Sequence, residues 1–182
     1  MGNRICFSAV MKVTTVVTLI LTVILMLLYR TFQAGWILYA AISAGTTFYH
    51  FAMRLIVGFI VPRCMKNPTK NAWFSQRDFE VKLYKTLKVK SWKDHMPTYD
   101  PASFSLRENS LEQIVHTSCV SESVHEVIIL LSFVPLLFAI LWGELPVFLI
   151  TSLLAALFDS CFVIMQRYNR PRLQRILSKK EA

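Results

Sequence analysis

Glu122 and His125 lie three residues apart, so on a helix they share one face. A carboxylate beside an imidazole fixes its tautomer and strengthens it as a base, which is what removing a proton from an alcohol requires. The bland alternative is a solvated turn where a helix meets a membrane, since a single Glu-x-x-His is a short motif. A metal site is not expected. Carboxylate-rich metal bundles need two such motifs plus further acids, and the chain has one. Cys6, Cys64, Cys119 and Cys161 show no paired spacing, which argues against a disulfide framework and against zinc.

A second cluster is Gln166-Arg-Tyr-Asn-Arg-Pro-Arg-Leu173. Guanidinium forks bind phosphate through paired donors, which makes Arg167, Arg170 and Arg172 candidate phosphate ligands. Basic tails also serve simply to meet lipid headgroups, but that leaves Tyr168 and Asn169 unexplained. A third group, His50, Arg54 and Asp159, sits inside apolar runs, where an ionised Arg or Asp costs about 2.5–3.5 kcal/mol on the insertion scale. Arg54 precedes Pro62 by eight residues and Asp159 precedes Arg167 by eight. At about 1.5 Å per residue both lie roughly 12 Å into the membrane. The arithmetic predicts an Arg54–Asp159 pair, either joining helices or belonging to a site.

The elements that must position these residues are membrane helices. The 182 residues are 54% hydrophobic with a net charge of +9 and a mean hydropathy of +0.46, values that do not suit a soluble polar enzyme. Apolar runs at 13–29, 34–61, 127–143 and 145–165 each approach the roughly 20 residues needed to cross a bilayer. The expected fold is therefore an all-α integral membrane bundle of four transmembrane helices, forming one domain over residues 1–182. Ten Lys or Arg residues fall in the loop 62–126 and six in the basic tail 166–182, which places both, and the N-terminus with Arg4 and Lys12, on the cytosolic side. The first run is expected to be an uncleaved anchor, because it ends in Leu-Leu-Tyr-Arg rather than small residues. The opening Met-Gly-Asn-Arg-Ile-Cys lacks the Ser or Thr of a myristoylation signal.

Within the cytosolic loop, Phe79, Leu83 and Leu87 follow helical spacing. They predict a short amphipathic helix over 76–87 lying along the membrane surface. Trp73, Phe74, Tyr84 and Trp92 suit the same interface as anchors or as stacking surfaces. Ser105–Glu108 and Ser110–Gln113 are both possible capping boxes. A helix starting near Ser110 meets no Pro or Gly before Pro135, so it should run from the cytosolic surface into the third span, carrying Glu122 and His125. Pro171 should break or bend the fourth helix.

The block Gln166–Leu173 resembles the C-terminal signature of the glycosyl-4,4'-diaponeurosporenoate acyltransferases, small bacterial membrane proteins. The likeness extends upstream through Asn71-Ala-Trp-Phe74, Glu80 with Leu83-Tyr84-Lys85, Val89-Lys-Ser-Trp-Lys93 followed by Pro97, and Glu122-Ser-Val-His125, covering roughly 71–173. It implies transfer of a fatty acyl group to a sugar hydroxyl of a glycosylated membrane lipid, a carotenoid in the best-known case, in a bacterial cell membrane. Ser121, Glu126 and Met96-Pro-Thr-Tyr-Asp-Pro101 depart from the family pattern, which opens the acceptor to other lipids.

On this reading His125 is the general base on the acceptor hydroxyl, with Glu122 orienting it. Arg167, Tyr168, Asn169, Arg170 and Arg172 bind donor or headgroup phosphate, and Lys90, Trp92 and Lys93 form the opposite wall. Acyl-CoA or another activated acyl donor enters as substrate, and no cofactor is expected. The partners are membrane lipids, a lipid-embedded acceptor and the acyl donor. The rival readings are a non-catalytic lipid-binding or assembly factor on the same scaffold, and a small transporter subunit relaying through His50, Arg54 and Asp159. Nucleic-acid binding is not expected, because an anionic leaflet attracts the same basic loop.

Overall fold

The computed structural model describes residues 7–97 and 100–181. Arg4 and Cys6, with the rest of the opening hexapeptide, and Thr98 and Tyr99 of the Met96–Pro101 stretch lie outside the described residues. The described chain contains helices and no strand. In order these are α1 (Phe7–Phe32), α2 (Gly35–Cys64), α3 (Asp78–Thr86), α4 (Val89–Trp92), α5 (Leu111–Leu131), α6 (Ala139–Trp142) and α7 (Leu145–Glu181), with 3₁₀ turns between several of them. Four stretches are long and apolar enough to cross a membrane: Ser8–Phe32, Gly35–Cys64, Leu111–Trp142 and Leu145–Lys179. The architecture is thus the all-α, four-span membrane fold that the apolar runs predict. The chain divides into two compact units, one comprising the described part of Met1–Gly58 with Ile128–Phe158, the other Phe59–Val127 with the described part of Asp159–Ala182.

In the first unit, α1 exposes Val13, Val17, Ile20, Ile24 and Leu27, the surface expected of a helix that faces lipid. Threonine hydroxyls along it bond back within the helix. Thr15, Thr18 and Thr22 donate back to the carbonyls of Met11, Thr14 and Thr18 at 2.8, 2.7 and 2.7 Å, as a medium without water demands. A Cβ added at Gly45 would meet Thr22 Cγ2 at 3.4 Å, so the missing side chain lets α2 approach α1 closely.

The third span differs from the expected single run over 127–143. α5 ends at Leu131, and a 3₁₀ stretch Val134–Phe138 precedes α6. The reason is Pro135. It has no N–H to give the Leu131 carbonyl four residues back, and Tyr49 supplies the missing donor through its hydroxyl at 2.8 Å. Gly143 and Glu144 then adopt φ of +72° and +51°, the left-handed pair that turns the chain into α7.

In the second unit, the start of α5 is the reciprocal capping box expected at Ser110. The Ser110 amide donates to Gln113 Oε1 at 2.7 Å and the Gln113 amide to Ser110 Oγ at 3.2 Å. Ser105, the other candidate, caps only a turn, accepting from the Arg107 amide at 3.3 Å. The amphipathic segment forms as α3, and it is oriented by its polar residues. Glu80 and Tyr84 are buried, while Phe79, Leu83 and Leu87 are exposed. That inverts the pattern of a soluble protein and leaves an apolar stripe for a bilayer surface. Lys88 ends the helix at φ +48°, and Trp92 Nε1 donates to the Leu87 carbonyl at 2.9 Å. Pro171 does not break the fourth helix. α7 continues through it to Glu181, because the side chains of Arg167 and Arg170 tie the turn before it to neighbouring segments.

Candidate active site

α5 and α7 carry the site, each with a stripe at helical spacing. On α5 this is Ser118, Glu122 and His125; on α7 it is Asp159, Phe162, Gln166 and Arg170. Polar residues this deeply buried must be paired. Glu122, Asp159 and Arg170 are no more than 1% exposed.

His125 Nδ1 donates to Asp159 Oδ1 at 2.8 Å, the carboxylate making Nδ1 the protonated ring nitrogen. The imidazole stacks on Phe162 with ring centroids 4.5 Å apart and planes 5° from parallel. Its tautomer and its plane are therefore both fixed. Nε2 is left as the acceptor, with no hydrogen-bond partner among the described residues and not sealed from solvent. An imidazole so arranged can take a proton from a hydroxyl placed at Nε2 and return it to a leaving group.

The acid beside His125 is thus Asp159, and the expected Glu122–His125 pairing is replaced. Among the described residues Glu122 makes no hydrogen bond with His125. Its Oε1 accepts from Arg167 Nη1 at 2.7 Å, and its Oε2 pairs with Arg170 Nη2. Guanidinium groups carry full charge and several donors in a fixed fork, so they claim the carboxylate ahead of a ring nitrogen. Arg167 also donates through Nε to Glu80 Oε1 at 2.8 Å and through Nη2 to the Trp73 carbonyl at 3.1 Å. Arg170 donates to the carbonyls of Phe74 at 3.0 Å and Ser118 at 3.3 Å.

Two of the three arginines expected on phosphate therefore lie in a formally neutral group of two acids and two bases. They hold the Trp73–Ser75 backbone against α5 and α7. Burial forces this, since an unpaired guanidinium so far from water would cost several kcal/mol. Tyr84 joins the group by donating to Glu80 Oε2 at 2.8 Å. Burial, reinforced by that bond, pushes its hydroxyl well above the ordinary tyrosine range. Tyr84 also packs edge-on against Tyr168, with centroids 5.4 Å apart.

Arg172 is the exposed cation of the tail motif. Its guanidinium lies 4.1 Å from the Tyr168 ring centroid and donates to the Tyr168 hydroxyl at 2.6 Å. Asn169 is half-buried on the same helix and Lys90 is exposed on α4. Trp92 is half-buried, and Lys93 pairs with Asp94. His50 is buried in the first unit, where Arg54 Nη1 donates to its carbonyl at 2.9 Å. Asp159 belongs to the second unit.

Spacing alone did not disclose the roles of Glu80, Trp73 and Phe162. Glu80 carried one signal, an acid in the middle of an amphipathic segment, on the side away from its lysines. Two of the departures from the family pattern, those flanking the Glu122–His125 motif, also find partners. Ser121 Oγ accepts from Gln166 Nε2 at 3.4 Å, and Glu126 accepts from Trp73 Nε1 at 3.0 and 3.1 Å. Among the described residues no group of His, Cys, Asp and Glu is arranged to hold a metal ion.

No curated protein and no solved structure gives a significant match to the chain. The family model described as glycosyl-4,4'-diaponeurosporenoate acyltransferase matches residues 70–179, a stretch that contains Trp73, Glu80, Glu122, His125, Asp159 and the whole arginine motif. With well over half of its length inside that match, the chain belongs to the glycosyl-4,4'-diaponeurosporenoate acyltransferase family.

Proposed function

We propose that this membrane protein transfers a fatty acyl group from an activated donor, an acyl-CoA thioester, to a hydroxyl of a glycosylated lipid held in a bacterial cell membrane. The carrying observation is the His125–Asp159 dyad, with Nδ1 bound at 2.8 Å and Nε2 open. The acceptor hydroxyl gives its proton to Nε2 as its oxygen attacks the thioester carbonyl. The tetrahedral intermediate collapses, the carbon–sulfur bond breaks, and the imidazolium returns the proton to the departing thiolate. Asp159 faces the positive charge that forms between these steps, and Phe162 keeps the ring from turning. Base catalysis of this kind contributes about 10²–10⁴-fold, and positioning of two lipid-borne reactants supplies much of the remainder.

Glu122, Glu80, Arg167 and Arg170 act at one remove, holding the Trp73–Ser75 segment beside the dyad. Donor phosphate falls to the exposed cations, Arg172 and Lys90, with Trp92 and Lys93 nearby in sequence. The basic loop and tail support a cytosolic side for the site and both termini, where acyl-CoA is found. The test is lipidomics of cells with and without the gene. One acylated glycolipid should disappear on deletion and return with wild type but not with His125→Ala. Its return with both proteins would remove His125 from the mechanism.

A further inference from the structure

Trp73 is tied down at four points and still exposes 49% of its surface. Its amide donates to Asn71 Oδ1 at 2.9 Å, and its carbonyl accepts from Arg167 at 3.1 Å. Its indole N–H bridges both oxygens of Glu126 at 3.0 and 3.1 Å, and the Arg77 guanidinium lies 5.4 Å from the ring centroid. An aromatic that merely anchors a protein in the headgroup layer keeps its polar edge for lipid and water. Here that edge is spent on a carboxylate, and the carboxylate belongs to the residue that follows His125.

We propose that Trp73 and Glu126 form the acceptor subsite for a neutral sugar ring. The indole face carries the apolar C–H face of the ring. Glu126, whose two oxygens offer about four acceptor positions and have one protein donor among the described residues, accepts from a sugar hydroxyl. The neighbouring hydroxyl is thereby presented to His125 Nε2. The charges around the ring select this class of ligand. Glu126 repels a phosphate headgroup, and Arg77 over the indole repels a cationic one such as choline. A plain alcohol has no face to stack. What remains is an uncharged polyol with one apolar side.

The inference rests on the acyl-transfer reading of His125, and the test separates the two. Wild-type protein in nanodiscs is given palmitoyl-CoA with either dodecyl β-glucoside or 1-O-dodecylglycerol, and kcat/KM is measured for each acceptor. Trp73→Ala should lower the glucoside-to-glycerol ratio about 10-fold, the size expected for one lost aromatic contact, through KM for the glucoside. Glu126→Gln should lower it in the same direction. In parallel, the glucoside should shift tryptophan emission saturably, and Trp73→Phe should abolish the shift.

An unchanged ratio in both variants, even with lower total turnover, would make Trp73 a structural prop and overturn the subsite. Wild-type transfer to dodecylglycerol but not to the glucoside would overturn the subsite and leave acyl transfer standing. Should neither acceptor react, the acyl-transfer reading falls. The sugar subsite then survives only if the Trp73-dependent emission shift is seen with the glucoside and not with dodecylglycerol, and is overturned without it.

Discussion

Replacing Asp159 by Asn changes the charge and donor pattern at His125 while nearly preserving shape. At 2.8 Å a full imidazolium–carboxylate attraction at an effective dielectric of about 20 amounts to about 6 kcal/mol. Roughly 2 kcal/mol of that is already present as the charge-assisted hydrogen bond of the resting neutral ring. The transition state thus gains about 4 kcal/mol from Asp159, which corresponds to about 10³-fold in rate. The amide adds a second effect in the same direction. Its NH₂ can donate to Nδ1, which moves the ring proton to Nε2 and removes the acceptor the reaction needs.

The assay is transfer of labelled palmitate from palmitoyl-CoA to glycolipid in nanodiscs, with a thermal melt of each variant to check folding. Asp159→Asn should lose about 10³-fold in kcat with a smaller change in KM. The double variant His125→Ala with Asp159→Asn should be no slower than His125→Ala alone, since the two residues act as one unit. A well-folded Asp159→Asn protein keeping more than a tenth of wild-type kcat would refute the reasoning, as would fully additive losses in the double variant.

The remaining predictions concern the frame around the dyad. Glu122→Ala should destabilise the protein by about 3–5 kcal/mol, because it strands the buried Arg170 without a countercharge; detergent-solubilised yield and melting temperature read this. Tyr49→Phe should cost about 1–2 kcal/mol by orphaning the Leu131 carbonyl beside Pro135, again seen in the melt. The raised Tyr84 hydroxyl gives a signed pH effect. The unfolded chain releases that proton near pH ~10 while the folded chain retains it, so its contribution is complete below pH ~10 and is lost as pH climbs further. Melts between pH 9 and 11 should show this decline, and Tyr84→Phe should flatten it. Arg172→Ala should raise KM for acyl-CoA several-fold with little change in melting temperature, because its guanidinium is exposed and, among the described residues, bound only to Tyr168.

What could be read along the chain is what depends on neighbours along the chain. The four apolar stretches, the Ser110–Gln113 cap, the amphipathic pattern of α3 and the ordered blocks that mark the family all follow from local composition and spacing. A bilayer enforces the first of these especially strictly, since backbone polar groups in lipid must be satisfied within a helix. The continuation of α7 through Pro171 already exceeded local rules, because contacts from Arg167 and Arg170 to other segments outweigh one missing backbone bond.

The site required tertiary structure for a plainer reason. Glu80 and Glu122 have a base within helical reach, at Arg77 and His125, whereas Glu126 and Asp159 have none three or four residues away, and spacing cannot say which acid meets which cation across helices. Glu122 was the acid one helical turn from His125, yet the partner is Asp159, 34 residues away. Packing α5 against α7 within the second unit brought two guanidinium groups to Glu122 first. Once burial required every charge there to be neutralised, the imidazole was left to the remaining carboxylate.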